Sequence, residues 1–584
     1  MGISGVPISG RQRSFAGVAT LLFAAILALI VLSPPSARAE LVPRLAFDSI
    51  AGPSGTDPYD LTAAGNRLYF AGRDAKGYEP WVWDGATARV LGDIRPGPGS
   101  SEPGAFTEFG GFVYFTAFTE DLGVELYRTN GTGTELVKDI EAGDDSSYPT
   151  NFAVLGGALY FSAYSAAAGY ELWKTDGTTT SMVADLYPGN DSSGPDDVVV
   201  LGPYLYFTAN APATGGELYR SDGSSISLVA DIEAGAGSSS IDDLIVAGNR
   251  LFMDADDGIT GEELWTSTGT GASLVEDIDP GGGDSGIDEL GAVGSDVYFA
   301  ADDGSHGTEP WRSDGTSANL VRDIEPGADG SNPEEFTALG GQAYFSARED
   351  VHGIELWKSN GTSADLAYDI RPGELSSGPE GFFAFEDKLY MSARTDLEGD
   401  ELWVADAAGA RLVADIFPGT YGSNPENFTV YNGRLHFPAD DGTRGEEVWR
   451  LVPEDLSVTI EISTAKLTLS KKGVVTLKLT CPVTEENGPC AGNLVLATKS
   501  KIKVKGKKKR RFVLGRAAYS VPAGQTQPMK FKLKKPLQKL LRTNKPARKL
   551  LATATVADTE GNAATVAKTL NVKAPKKTKK GSKR

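Results

Sequence analysis

The sequence predicts an all-β chain: a nine-bladed β-propeller of 46-residue, four-stranded repeats, closed by its N-terminal strand and followed by a small β-sandwich. Three observations predict it. A glutamate, one spacer and an aromatic residue recur nine times at a constant interval of 46 residues. Each interval holds four short strand-like runs separated by tight-turn dipeptides. The two ends of the repeated region are out of phase in a way that ring closure resolves.

The segment "GIELWKSNGTSADLAYDIRPG", Gly353–Gly373, displays the repeat. Its glutamate recurs as Glu79, Glu125, Glu171, Glu217, Glu263, Glu309, Glu355, Glu401 and Glu447. Two residues later stand Trp81, Tyr127, Trp173, Tyr219, Trp265, Trp311, Trp357, Trp403 and Trp449. Two residues before each Glu is a glycine, from Gly77 to Gly445. A period of this size marks propellers, solenoids and arrays. Within one unit, "FTALGG" and "QAYFSARE" meet at Gly-Gly, and "IELWKS" and "DLAYDI" are joined by Asn360-Gly361-Thr362. Asn-Gly and Asp-Gly supply the positive φ of tight hairpin turns, and the turn recurs at Asp176-Gly177, Asp222-Gly223 and Asp314-Gly315. Four antiparallel strands in 46 residues make one blade. A parallel solenoid uses shorter coils without these hairpins.

The phase sets the closure. The last unit has three strands and stops after "EEVWRLV", while "LVPRLAFD" near the start resembles the missing fourth, with Asp48 where the Asp of the recurrent "DI" pair belongs. The N-terminal strand therefore completes the last blade. An open superhelix would leave both terminal units with unpaired edges. Nine exceeds the usual four to eight blades, so the count is the most exposed part of this expectation.

"ELWKTDGTTTSMVADLYPG", Glu171–Gly189, and its copies resemble the ELWxxDGT repeat family of secreted bacterial proteins. The resemblance runs from about Leu41 to Leu451, with Pro80 and Pro310 in place of the Leu and Asp406-Ala407 in place of the turn. It implies repetitive β architecture and no defined reaction.

Nine equivalent glutamates do not make one active site. Each is expected to accept backbone N–H groups from the loop before its strand, and each aromatic to pack between blades. Acids crowd the interblade linker and the loop before "GxELW", which the chain path puts on one face, as in "DIDPGGGDSGIDE" and "DADDGITGEE". Asp254, Asp256 and Asp257 are the densest cluster and the candidate metal ligands, with Ca2+ the one cofactor considered. Their spacing departs from a regular calcium loop, because Gly258 falls where a third Asp belongs. His306 and His352 share a variable repeat column and read as exposed; His436 replaces a Tyr and reads as packed. No metalloprotease, serine-hydrolase or phosphate-loop motif is present.

Charge divides the chain. Residues 40–451 carry 22 Lys and Arg against 71 Asp and Glu; from Val452 onward there are 31 against 7. Residues 1–39 hold Arg11, Arg13, an apolar run from Phe15 to Leu32 and the small-x-small Ala37-Arg38-Ala39, the form of a cleaved signal peptide or, on the alternative reading, a retained anchor. Residues 40–452 are assigned to the propeller, 453–573 to a basic β-sandwich resembling bacterial immunoglobulin-like domains, and 574–584 to a Lys-rich disordered tail. Cys481 and Cys490 are expected to form a disulfide. Lys505, Lys507, Lys508, Lys509, Arg510 and Arg511 form a basic patch without the interleaved aromatics of a nucleic-acid platform, so no specific nucleic-acid partner is expected. The function expected is that of a secreted, non-enzymatic binding or scaffold propeller. Its basic domain attaches to an anionic wall polymer or membrane surface, and a protein or glycan of unknown identity binds the propeller. A Ca2+-stabilised ring and an extracellular enzyme with a site on the axis are the alternatives.

Overall fold

The computed structural model describes residues 41–50, 52–453, 460–482, 489–504, 508–522, 524–557 and 563–573. Residues 1–40, where a signal peptide is expected, residues 574–584, Lys505 and Lys507 lie outside them. Nine four-stranded antiparallel sheets follow one another along the chain. In blade 1 the strands are Tyr59–Ala64, Arg67–Asp74, Gly77–Trp83 and Ala88–Val90, from inner to outer. Blades 2 to 8 repeat this order from Gly104, Thr150, Asp196, Asp242, Asp288, Glu334 and Glu380. Blade 9 is Thr429–Tyr431, Arg434–Asp440 and Glu446–Pro453, and its fourth strand is Leu41–Leu45. That strand pairs antiparallel from Leu41 with Pro453 to Leu45 with Trp449. The N-terminal closure read from the phase is thus the one found, and the blade count is nine.

Alternation explains the packing. Each second strand, such as Gln342–Glu349, buries residues from both faces, because a blade is covered by a neighbour on each side. The buried side chains form nine interblade clusters. One joins Tyr114 and Leu126 of blade 2 to Leu159, Phe161 and Trp173 of blade 3. Another joins Leu68, Phe70 and Trp81 of blade 1 to Tyr431 and Val448 of blade 9, and so closes the ring. The aromatic column packs between blades as expected: Trp357 is 1% exposed in the cluster of blades 6 and 7, with the Arg322 guanidinium 5.2 Å from its ring. Successive inner strands approach one another around the axis.

The turns also follow the sequence. Asp176 Oδ1 accepts the N–H groups of Thr178 and Thr179, both at 2.8 Å, and Gly177 takes φ 89°. Gly353 sits at φ 72°, and a Cβ there would lie 2.7 Å from the Ser376 nitrogen, so the linker passes too close for any side chain.

The C-terminal region is a β-sandwich. A three-stranded sheet (Glu461–Ile462, Val474–Thr480, Thr526–Lys532) faces a five-stranded one (Leu467–Thr468, Ala563–Lys573, Lys549–Ala557, Cys490–Thr498, Val513–Val521). One core, including Leu477, Leu494, Phe531 and Leu550, lies between them. Cys481 and Cys490 are buried and joined in a disulfide. A helix, Lys535–Thr543, begins with Pro at its first turn and packs Leu541 inward. Among the described residues, no helix is long and apolar enough to cross a membrane.

Candidate functional site

The repeated glutamates are fully buried, and each ties one blade to the linker leading to the next. Glu355 Oε2 accepts the Ile370 N–H at 2.7 Å and the Ser377 hydroxyl at 2.7 Å; Oε1 accepts the N–H of Arg371 at 3.3 Å and of Ser377 at 2.9 Å. The linker Ile or Leu N–H fifteen residues on is bound in the same way by Glu79, Glu171, Glu263 and Glu401. The donors therefore come from the linker after the blade, and not from the loop before the strand. The reason is topological: the linker crosses above its own blade to reach the next inner strand and brings unpaired N–H groups onto the buried carboxylate. Burial raises these carboxyls above their ordinary range, and the donated hydrogen bonds pull them back.

Glu447 differs. Its linker is the N-terminal segment, and the Thr56 and Ser49 hydroxyls reach Oε2 at 2.8 and 3.2 Å. Its Oε1 is buried without a donor, and burial pushes the carboxyl up to about 7.

With these acids engaged in the framework, the exposed ones define the surface. Each inner strand begins with a kink in which two residues three apart take positive φ, such as Ser240 with Asp243 and Asn332 with Glu335. The ladder skips there, as between Asp242 and Ile245. The kink carries an acid doublet: Asp196-Asp197, Asp242-Asp243, Asp288-Glu289 and Glu334-Glu335 in blades 4 to 7. The second acid reaches the next inner strand. Glu289 accepts the Glu335 N–H at 2.9 Å, and Glu335 those of Gly381 and Phe382 at 3.0 and 2.9 Å. The first acid of each doublet is exposed. The result is a collar of carboxylates around the axis. Burial, then Asp196, Asp242 and Asp243, push Asp197 up to about 6. Burial followed by acidic neighbours also raises Glu380. The sequence signal for the collar is the acid doublet recurring at the repeat interval, from Asp196-Asp197 to Glu334-Glu335.

Those candidates are not brought together. Asp254 is 3% exposed, its Oδ1 accepting the Asp242 N–H at 2.9 Å, and burial with Asp242 and Glu262 nearby pushes it up to about 8. Asp256 accepts the Gly258 N–H at 2.7 Å, and Asp257 caps the turn through Ile259 and Thr260 N–H groups at 2.9 and 2.8 Å. Asp254 is buried on its strand, and Asp256 and Asp257 spend oxygens on turn N–H groups, so the three present no shared set of free oxygens to a calcium ion. Among the described residues, no group of three or more His, Cys, Asp or Glu could hold a metal ion. His306 pairs with Asp303 at 2.8 Å on the surface. His436 is buried between Trp83 and Tyr431, its ring 5.4 and 5.5 Å from theirs.

On the sandwich, Lys508, Lys509, Arg510 and Arg511 are exposed, and Arg510 stacks on Phe512 at 4.9 Å. The helix adds Lys535, Lys539 and Arg542.

No family model matches the chain, and no curated protein matches it. Among solved structures it is similar to prolyl endopeptidase at 12% identity and TM-score 0.34, over 65% of this chain and 54% of that one. It is similar to puromycin hydrolase at 12% and 0.31, over 57% and 58%. It is also similar to the β-propeller domain of the Trilobed protease from Pyrococcus furiosus at 9% and 0.31, over 66% and 98%. The chain thus spans little more than half the length of the first two, and likenesses this distant carry no argument about the site.

Proposed function

We propose that this is a secreted, non-enzymatic binding propeller. Its acidic linker face is the recognition surface, and its basic sandwich attaches it to an anionic surface of the cell envelope. The observation that supports this most is the division of the carboxylates. The nine repeated ones are buried, eight of them accepting linker N–H or Ser hydroxyl groups and Glu447 the hydroxyls of the N-terminal segment, while the collar acids gather on the inner strands, where burial and acidic neighbours raise Asp197 and Glu380. Like charges so gathered favour a cationic partner and speed its encounter at low salt. The opposite charge of the sandwich, with 31 Lys and Arg against 7 acids from Val452 onward, suits wall polyanions or anionic lipid headgroups. Isolated envelopes test this. The full chain should sediment with them and be released by salt, and a chain lacking residues 453–584 should stay in the supernatant. Equal sedimentation of the two would refute the attachment.

A further inference from the structure

Near the linker-face end of the second and third strands of each blade lies one cross-strand pair that varies. It is Arg73–Tyr78 in blade 1, Asp256–Glu262 in blade 5 and Arg394–Asp400 in blade 8. In blade 3 it is Tyr164–Tyr170, with ring centroids 5.3 Å apart. Tyr148, on the linker from blade 2, joins them; it is 52% exposed and held at φ 43°. Burial raises Tyr170, with Tyr148 and Tyr164 as the next causes, so the three phenols are neighbours. Together with Phe118 of blade 2 they line an open cavity of about 540 Å³. Asp144 and Asp145, both exposed, stand on its rim, and Glu141 beside them is fixed by the Ala166 N–H at 2.5 Å. No Lys or Arg is among the lining residues.

Blade 1 shows what the same positions do when a cation is supplied internally. There the Arg73 guanidinium lies 5.9 Å from the Tyr78 ring centre and 3.7 Å from the Asp57 carboxylate. Blade 3 has Tyr164 in place of Arg73 and Tyr148 in place of Asp57, and it keeps the aromatic partner as Tyr170. The aromatic faces and the acidic rim are present, and the cation is not. In blade 2, Arg95 already stacks over Phe118 at 5.0 Å, which leaves the tyrosine faces for a ligand.

We propose that the cavity between blades 2 and 3 binds the guanidinium or ammonium group of a basic polypeptide segment, stacked on Tyr164 and Tyr170 and neutralised by Asp144, Asp145 and Glu141. This rests on the reading of the linker face as a recognition surface, and it names the ligand class. An anion is repelled by the rim. A neutral sugar gains stacking and hydrogen bonds to the carboxylates but leaves their charge uncompensated. A cationic side chain gains both, and the net charge of −49 on residues 40–451 draws it in.

The test titrates hexa-arginine into the full chain by calorimetry at physiological salt. Tyr164→Arg recreates the internal cation of blade 1 and should weaken binding by about tenfold, as should Tyr170→Leu. Tyr164→Phe keeps the aromatic face and should bind within about twofold of the parent. Asp365→Asn, exposed on the outermost strand of blade 7, should also leave affinity unchanged. Unaltered thermal melts by Trp fluorescence establish that each variant is folded. Equal binding by the parent, Tyr164→Arg and Tyr170→Leu would overturn the proposal, since it would assign the affinity to the acidic face at large. So would Tyr-dependent binding of a chito-oligosaccharide with Tyr-independent binding of hexa-arginine. Envelope sedimentation depends on residues 453–584 and should be unaffected by Tyr164→Arg, so this proposal and the attachment reading can fail separately.

Discussion

Replacing Glu447 with Gln should distinguish the ring seam from the other blades. At Glu355 four donors converge on the two carboxylate oxygens, two of them on Oε1. Gln there turns one acceptor into an NH2 group facing N–H donors. A buried N–H left unmet costs about 1–3 kcal/mol, so Glu355→Gln should lose about 2–4 kcal/mol at any pH near neutral. At Glu447 both hydroxyl donors reach Oε2, and Oε1 has no donor. Gln keeps the useful acceptor and removes a charge that burial disfavours. The carboxyl is pushed from its ordinary 4.5 up to about 7 in the folded chain. An acid raised on folding favours the folded state while it is protonated. That contribution is complete below the unfolded value and is lost as pH rises through the folded one. The gap corresponds to about 3 kcal/mol, absent from Glu447→Gln. Glu446 beside it is also pushed up to about 7, by burial first and then by Glu426, Asp57 and Asp440. The two proteins should therefore be equally stable near pH 4, and Glu447→Gln more stable by about 2–3 kcal/mol near pH 8.5. Urea unfolding followed by Trp fluorescence measures this directly, because all eight Trp residues lie in the propeller. The reasoning is refuted if Glu447→Gln loses as much as Glu355→Gln at pH 8.5, or if its difference from the parent does not change with pH.

Other consequences are independent of the seam. Trp357→Ala empties the space between blades 6 and 7 and should cost about 3–5 kcal/mol in the same unfolding assay. Reducing the Cys481–Cys490 disulfide should lower the calorimetric transition of the sandwich, by about 2–3 kcal/mol on loop-entropy grounds, and leave the Trp signal of the propeller unchanged. Chelation with EDTA should not shift the propeller's melting temperature, whereas a fall on chelation that Ca2+ reverses would establish a metal-stabilised ring. Asp254→Asn should leave stability at pH 7 within about 0.5 kcal/mol, because a carboxyl held up to about 8 is already uncharged there; a large loss would show that it is ionised.

Much of the propeller was readable because repetition multiplies a weak signal. A single "GIELWKSNG" resembles a loop with an acid and an aromatic; nine copies in register identify Glu355 and Trp357 as framework. Closure by Leu41–Leu45 followed from counting strands, which depends on the periodicity of side chains and not on their contacts. The disulfide followed from there being two Cys close together. Sequence proximity favours the preceding loop as the source of the glutamate's donors, and only the path of the linker brings Ile370 and Ser377 over Glu355. Asp254 read as a ligand because acids close in sequence look close in space; strand alternation buries it and leaves Asp257 in a turn.

By itself the sequence determined the local and periodic features of this protein: strand lengths, hairpin turns, the repeat interval, the number of blades and the separation of acidic from basic halves. These depend on φ preferences, two-residue alternation and charge count, all carried by neighbours in the chain. Only the tertiary structure decided which acids meet. Asp197, Asp243 and Glu289 stand 46 residues apart and are gathered at one axis, and Phe118, Tyr148 and Tyr170 come from three segments to one cavity. Electrostatic repulsion and aromatic stacking act over a few ångströms of space, and ring closure sets those distances.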